Sequence, residues 1–282
     1  MKRLRYACPR TLRHRFHATK AIGQITVLTT KLLRYRWLLF ELVARDLTLR
    51  YRGSILGFAW TLLNPLLFMG VYVLVFGVYL KIGLPNYALF LLSGLLPWTW
   101  FSGAIQQGTG SILDGRMYVG KTVFPVEVLV VVPMLSQFVN YLFSLPLLLV
   151  VVALFHGHLG WPLLYLPFVI LAQMMLTLAA LFFTATLNVF YRDIAQLVVY
   201  GTLLLFYLIP IFYPLSRVPE NLRPFVMANP FALMIMGYQQ IFYENRAPGL
   251  AEIGYLLYSG FILLVIGHAT FLRYKDSLGE YL

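Results

Sequence analysis

The sequence predicts an all-α polytopic membrane protein with six transmembrane helices. Three observations carry that expectation. The first is composition: 60% of the residues are hydrophobic, 16% aromatic and 11% charged, where a soluble domain carries about 25% charged residues. Mean hydropathy is +0.78, and a water-soluble globule of 282 residues cannot hide that much apolar surface. A soluble enzyme, a disordered chain and a free nucleic-acid binder are excluded. The second is the recurrence of six apolar runs, each of about 20 residues or more, the length that crosses about 30 Å of hydrocarbon. The third is charge asymmetry. The net charge is +12, and 13 of the 22 basic residues fall in positions 1–56, before the first long apolar run ends. That placement suits a membrane-facing segment beside anionic lipid.

Positions 1–30 form a basic extension with no apolar signal-peptide core behind it. A polybasic lipid contact is the expectation there. Cys8 is the single cysteine, so the chain has no internal disulfide and no thiolate metal site. Segment 31–52 places Leu33, Trp37, Phe40, Ala44, Leu47 and Tyr51 at helical spacing, with Arg34, Glu41, Arg45, Thr48 and Arg52 largely on another face. This is the pattern of an amphipathic interfacial helix. The transmembrane domain, 53–282, follows, with spans at roughly 57–80, 87–107, 126–155, 161–187, 194–213 and 253–272. Spans three and four are long and contain Pro133, Pro146 and Pro167, which favour kinks. Placing the N-terminus inside puts 18 basic residues in inner segments and 4 in outer ones, so both termini are expected in the cytoplasm. The inner connection 108–125 is polar and long enough for a short helix. The outer connection 214–249 holds five prolines, and two short outer-leaflet or re-entrant helices are expected at about 219–227 and 230–245.

Residues Gly115–Thr122, GRMYVGKT, match the P-loop pattern letter for letter. A phosphate-binding loop needs a strand before it and a metal-holding acidic strand end later. Neither is present, and the match is read as coincidental, with no cofactor-binding, catalytic or metal-ligating residue expected on this chain. Glu127 lies near the start of span three, and His156, His158 and His268 near span ends, where interfacial roles suit them better than metal ligation. No ionisable pair sits convincingly at the membrane midplane. Energy for transport then comes from elsewhere, or the protein is a passive channel. Span residues such as Gln106, Gln137, Asn140 and Gln173 suit either interhelical hydrogen bonds or, beside aromatic rings, sugar hydroxyls.

An ordered series of segments carries a family resemblance. ELVARDLTLRYRGSILGFAWTLLNPLL from Glu41 to Leu67, LLSGLLPWTWFSGAI at 91–105, KTVFPVEVL at 121–129, LNVFYRDI at 187–194, IPIFYPLSRVP at 209–219 and NPFALMI at 229–235 resemble, in that order, type-2 ABC permeases of bacterial polysaccharide exporters (O-antigen, capsule or teichoic acid). The resemblance covers roughly residues 35–245. It implies a homodimer in the bacterial inner membrane, docked on two ABC ATPase subunits that bind ATP and magnesium, moving a polysaccharide linked to undecaprenyl diphosphate. Membrane lipids are further partners and nucleic acid is not. Carried over by position, the resemblance implies a coupling helix including Asp114, Arg116, Met117, Tyr118 and Lys121. It implies headgroup contacts at Arg45, Arg50 and Arg52, and channel-lining rings at Trp60, Tyr72, Phe76, Tyr200 and Tyr207. It implies an outer gate including Arg217, Arg223, Phe225, Phe231 and Tyr238. Two alternatives stay open at this point: a type-2 ABC permease for a drug or small lipid, and an embedded enzyme on a polyprenyl lipid using Asp46, Asp114 or Asp193.

Overall fold

The computed structural model describes residues 18–119, 124–158 and 160–281. All regular structure in these residues is helical. Helix α1 (Ala18–Arg34) and helix α2 (Arg36–Tyr51) are separated by a break at Tyr35. The segment expected to be helical from residue 31 thus extends back to Ala18. Helix α2 lies along the near half of α7 (Val126–His156). Lys31 at the end of α1 meets Glu127 at the start of α7, and Tyr51 at the end of α2 meets Asn140 further along it.

Span one is compound. A 3-10 turn, Gly57–Ala59, leads into α3 (Trp60–Tyr72), which passes into a wider π turn over Val73–Tyr79. The amide of Leu80 reaches the carbonyl of Val75 at 2.9 Å, one residue further back than in an α-helix. Crowded β-branched Val73, Val75 and Val78 disfavour α geometry, and Gly77 lacks a Cβ. Helix α4 (Tyr87–Thr109) is the central element, mostly buried, and packs against α3, α7, α8 (Leu166–Phe190) and α9 (Asp193–Leu208). Two four-residue helices follow α4: α5 (Ser111–Asp114) and α6 (Arg116–Val119). Past α9 come α10 (Arg223–Ala228), α11 (Pro230–Phe242) and the long α12 (Leu250–Tyr281), whose main partner is α8.

Five helical segments among the described residues are long and apolar enough to cross a membrane: 57–79, 87–109, 126–156, 161–190 and 250–279. The run expected to cross at 194–213 gives only the 16 residues of α9. The cause is local. Ile209 precedes Pro210 and is extended, with φ −90° and ψ 143°, because proline crowds its neighbour out of the α region. The unwound residues Ile209, Ile211 and Phe212 are nonetheless buried. Gln239 Nε2 donates to the Pro210 carbonyl at 2.9 Å and Tyr87 OH to the Phe212 carbonyl at 2.8 Å. Side chains thus replace the helix bonds that this backbone lacks.

Helices α10 and α11 form a hairpin that dips into the body. The Phe231 ring packs on Phe101 at 4.9 Å, and Phe101 stands about 21 Å along α4 from Tyr87 at 1.5 Å per residue. From there α11 climbs back to Tyr243, whose hydroxyl donates to the Pro85 carbonyl at 2.9 Å. Asn229 caps α11 by accepting from the Phe231 amide at 3.0 Å. One end of the molecule therefore gathers α1, the α5–α6 connection and the end of α12. We call it the basal end. The other gathers 81–86 and the two ends of the 209–249 segment, whose hairpin tip reaches inward to Phe101.

Candidate functional site

A polar chain holds α2 to the bundle near the basal end. Asp46 and Arg50 lie one turn apart on α2 and pair at 3.2 Å. Gln107 on α4 donates to Asp46 Oδ1 at 2.7 Å and accepts from Arg50 Nη2. Gln137 on α7 donates to Gln107 at 3.4 Å, Asn140 to Gln137 at 3.2 Å, and Tyr51 OH to Asn140 Oδ1 at 3.3 Å. A phenol is protonated at neutral pH, so Tyr51 donates, and burial pushes its pKa further above the usual range. All three expected headgroup arginines are exposed, and Arg50 is in addition engaged in this chain. Arg45 also lines a recess of about 260 Å³ together with Asp46, Gln107, Asp114 and Gly115. One expected headgroup residue and one expected coupling residue therefore share a surface.

The α5–α6 connection is anchored and then presented outward. Ile112 is fully buried. A Cβ on Gly115 would come within 2.5 Å of Leu129 Cδ1 and 3.1 Å of the Ser111 carbonyl oxygen, so any larger residue there requires Leu129 to move. Asp114, Arg116 and Met117 are exposed, Met117 by 70%. Lys121 and the side chain of Tyr118 lie outside the described residues, as do positions 120–122 of the P-loop look-alike. Its described part opens at the break between two four-residue helices, not at a strand end.

A second basal feature was not legible from spacing. Glu127 is 1% exposed. Its Oε1 accepts from Lys275 of α12 at 2.7 Å and Lys31 of α1 at 3.1 Å, while Oε2 has no hydrogen-bond partner among the described residues. His268 is buried beside them against the rings of Phe182 and Phe271. Glu127, His268 and Lys31 line an apolar cavity of about 380 Å³ with Val27, Leu28 and Leu272. The signal available in sequence was the lone carboxylate in an apolar run, which requires a cation. What it lacked was which of many lysines and arginines would supply one.

The expected channel rings divide. Tyr72 stacks on Phe76 with centroids 5.8 Å apart, and both approach Phe212. Tyr207 joins them through Phe212 at 5.7 Å. Tyr200 stands two turns back on the same face of α9, in an exposed stripe with Leu203, Leu204 and Tyr207. The outer face of span one, Leu67, Val71, Leu74 and Val78, is similarly exposed. Trp60 points elsewhere, into a cavity shared with α4 and α7. At the far end, Arg217 donates to the Ile82 carbonyl at 2.8 Å and Arg223 to those of Val218 and Ser216 at 2.9 and 3.1 Å. Phe225 is 75% exposed, Phe231 lies deep against Phe101, and Tyr238 is fully buried beside Tyr141 and Phe242. The five expected gate residues thus lie at different depths.

Comparison with known proteins decides the family. The ABC-2 type transporter family matches residues 38–243. This chain belongs to that family. Over 255 residues the ABC-2 chain is 38% identical to the "O-antigen export system permease protein RfbA" of Myxococcus xanthus, spanning 90% of this chain and 98% of that protein. Two Klebsiella pneumoniae proteins of the same name are 32% and 31% identical over 247 residues, each spanning 87% of this chain and 95% of its own length. The relatives are named as permeases, and the ABC-2 chain is likewise a permease subunit rather than an enzyme. The family region contains Glu127 but neither Lys31 nor Lys275. The basal clamp therefore fastens both flanking segments of this ABC-2 protein to its family core.

Proposed function

We propose that this chain is the membrane-spanning permease of an ATP-driven exporter for a lipid-linked polysaccharide of the O-antigen class. The observation that carries the reading is the near end-to-end similarity to three permeases named for O-antigen export. In this reading the protein sits in the inner membrane with its basal end and both termini in the cytoplasm. The chain crosses six times, with α9 as the short crossing. Two copies pair, and two separate ABC ATPase subunits, which bind ATP and magnesium, dock on the basal surface. The exposed Asp114, Arg116 and Met117 support such docking, and the family resemblance assigns Tyr118 and Lys121 to the same role. Arg45 and Arg52 suit the diphosphate of an undecaprenyl-linked substrate through their forked donors. Tyr72, Phe76, Tyr200 and Tyr207 offer ring faces to sugars along span one and α9, and the hairpin of α10 and α11 closes the outer end.

The test is purification of the chain from native membranes in mild detergent. The expected result is a stoichiometric ABC ATPase with nucleotide hydrolysis confined to it, and accumulation of a lipid-linked glycan inside a deletion strain. ATP hydrolysis by the chain alone, with no ATPase recovered, would overturn the reading. Recovery of an ATPase without glycan accumulation would move the cargo to another class.

A further inference from the structure

The basal cavity of about 380 Å³ lies between α1, α7 and α12, within the size range of small-ligand sites. His268, Leu272 and Lys275 share one face of α12 by helical spacing, and Gly23, Val27 and Lys31 share one face of α1. Lys275 stands close to the end of the span 250–279, and Glu127 at the start of the span 126–156. That is the depth at which headgroups meet hydrocarbon. His268 lies seven residues further into the span, about 10 Å at 1.5 Å per residue. Between those levels the lining is apolar, through Val27, Leu28 and Leu272. Val27 is 53% exposed and Leu28 3%, so the lining runs from the surface to the interior. A Cβ on Gly23 would meet nothing within 4 Å, which leaves that side open.

Charge selects the ligand. Lys31 and Lys275 bring two positive charges to the rim and Glu127 one negative, so the cluster carries a surplus cation. Both ammoniums donate to the same oxygen, Glu127 Oε1, at 3.1 and 2.7 Å. They therefore stand close enough together for one phosphate to bridge them, and each retains two N–H donors. Both side chains are partly exposed, and neither pairs with another carboxylate among the described residues. A zwitterionic head would bring its own ammonium against two lysines, and the carboxylate on the lining, Glu127, is buried out of its reach. An anionic head meets the surplus directly, as basic pockets between membrane helices do. The cationic rim above an apolar wall fits an amphiphile with a phosphate and an acyl chain.

We infer that this cavity holds one anionic glycerophospholipid, its phosphate bridging Lys31 and Lys275 and one acyl chain against Val27, Leu28 and Leu272. Such a lipid joins α1 and α12 to the start of α7 as a third member of the basal clamp. No described residue of span one or α9 lines the cavity. The lipid therefore sits beside the path of the exporter reading, and the inference does not depend on that reading.

The experiment is native mass spectrometry of the full chain, delipidated in a polyoxyethylene detergent and titrated with phosphatidylglycerol, phosphatidylethanolamine or geranylgeranyl diphosphate. One phosphatidylglycerol per chain is expected to bind severalfold more tightly than phosphatidylethanolamine. Lys31→Met and Lys275→Met should each weaken it about fivefold, the contribution of one lysine beside an anionic headgroup, and Lys31→Arg should restore binding. The lysine variants also disturb the clamp. Gly23→Leu does not: it sends a side chain into the open side of the cavity and leaves both ion pairs in place. It should abolish the retained phosphatidylglycerol without lowering the thermal midpoint in lipid-free detergent. Equal binding of phosphatidylethanolamine, or phosphatidylglycerol binding indifferent to Gly23→Leu, overturns the inference. Tighter binding of geranylgeranyl diphosphate at the same residues overturns it too, by assigning the site to a prenyl diphosphate.

Discussion

Glu127 shows what a single buried charge asks of a chain. Breaking a buried ion pair costs about 3–5 kcal/mol, but Lys31 and Lys275 are partly exposed and regain water when abandoned. Glu127→Ala is therefore expected near the low end, about 3 kcal/mol, seen as a drop of several degrees in the unfolding midpoint in detergent. Glu127→Gln, which keeps the acceptor oxygen, should lose less. Equal midpoints for wild type and Glu127→Ala would remove the clamp from the account. Gly115 makes a different demand, for space. Gly115→Ala drives a methyl into Leu129 and should displace the α5–α6 connection, lowering partner ATPase activity severalfold while the fold survives. Leu129→Ala on the same chain should restore much of it.

At the scale of elements, α8 and α12 approach so closely that a Cβ on Gly267 would overlap the backbone carbonyl of Ala179. Small residues permit such contact between membrane helices. Gly267→Ala meets backbone, which cannot swing aside, and should destabilise the pair more than Gly254→Ala, which meets open space. Thermal unfolding of the two variants side by side checks this. Spans two, three, four and six were legible from apolar length alone, because hydrocarbon thickness fixes it. The shortening of span five was only half legible. Pro210 and Pro214 were visible, but not the glutamine, from residue 239, that lets the unwound backbone stay buried. The break at Tyr35 and the π turn after Tyr72 left no periodic trace that a residue count detects.

For the whole molecule, the proposed pairing of two copies would draw on the exposed apolar stripes of span one and α9, with the rings of those stripes facing the path between them. With Cys8 replaced by serine, Leu204→Cys is expected to give a disulfide-linked dimer in native membranes under mild oxidation. A persistent monomer would assign that stripe to lipid. Arg116→Glu should reduce export and ATPase co-purification strongly without changing the amount of folded chain, and normal export would count against the basal docking surface. The site was less legible than the fold. Motif order only assigns expected roles to Asp114, Arg116 and Tyr72, and the Asp46–Gln107–Gln137–Asn140–Tyr51 chain joins three helices, so that no spacing within one helix encodes it. The basal clamp has a further consequence, for biogenesis. Lys31 is already made when Glu127 is synthesised, but Lys275 follows 148 residues later, roughly 7–30 s at 5–20 residues per second. Throughout that interval the carboxylate enters the bilayer with Lys31 as its clamp partner. Lys31→Met should therefore cost more in inserted yield than in the stability of the finished protein, and Lys275→Met the reverse, a difference that pulse-labelled membrane insertion against thermal midpoint would read directly.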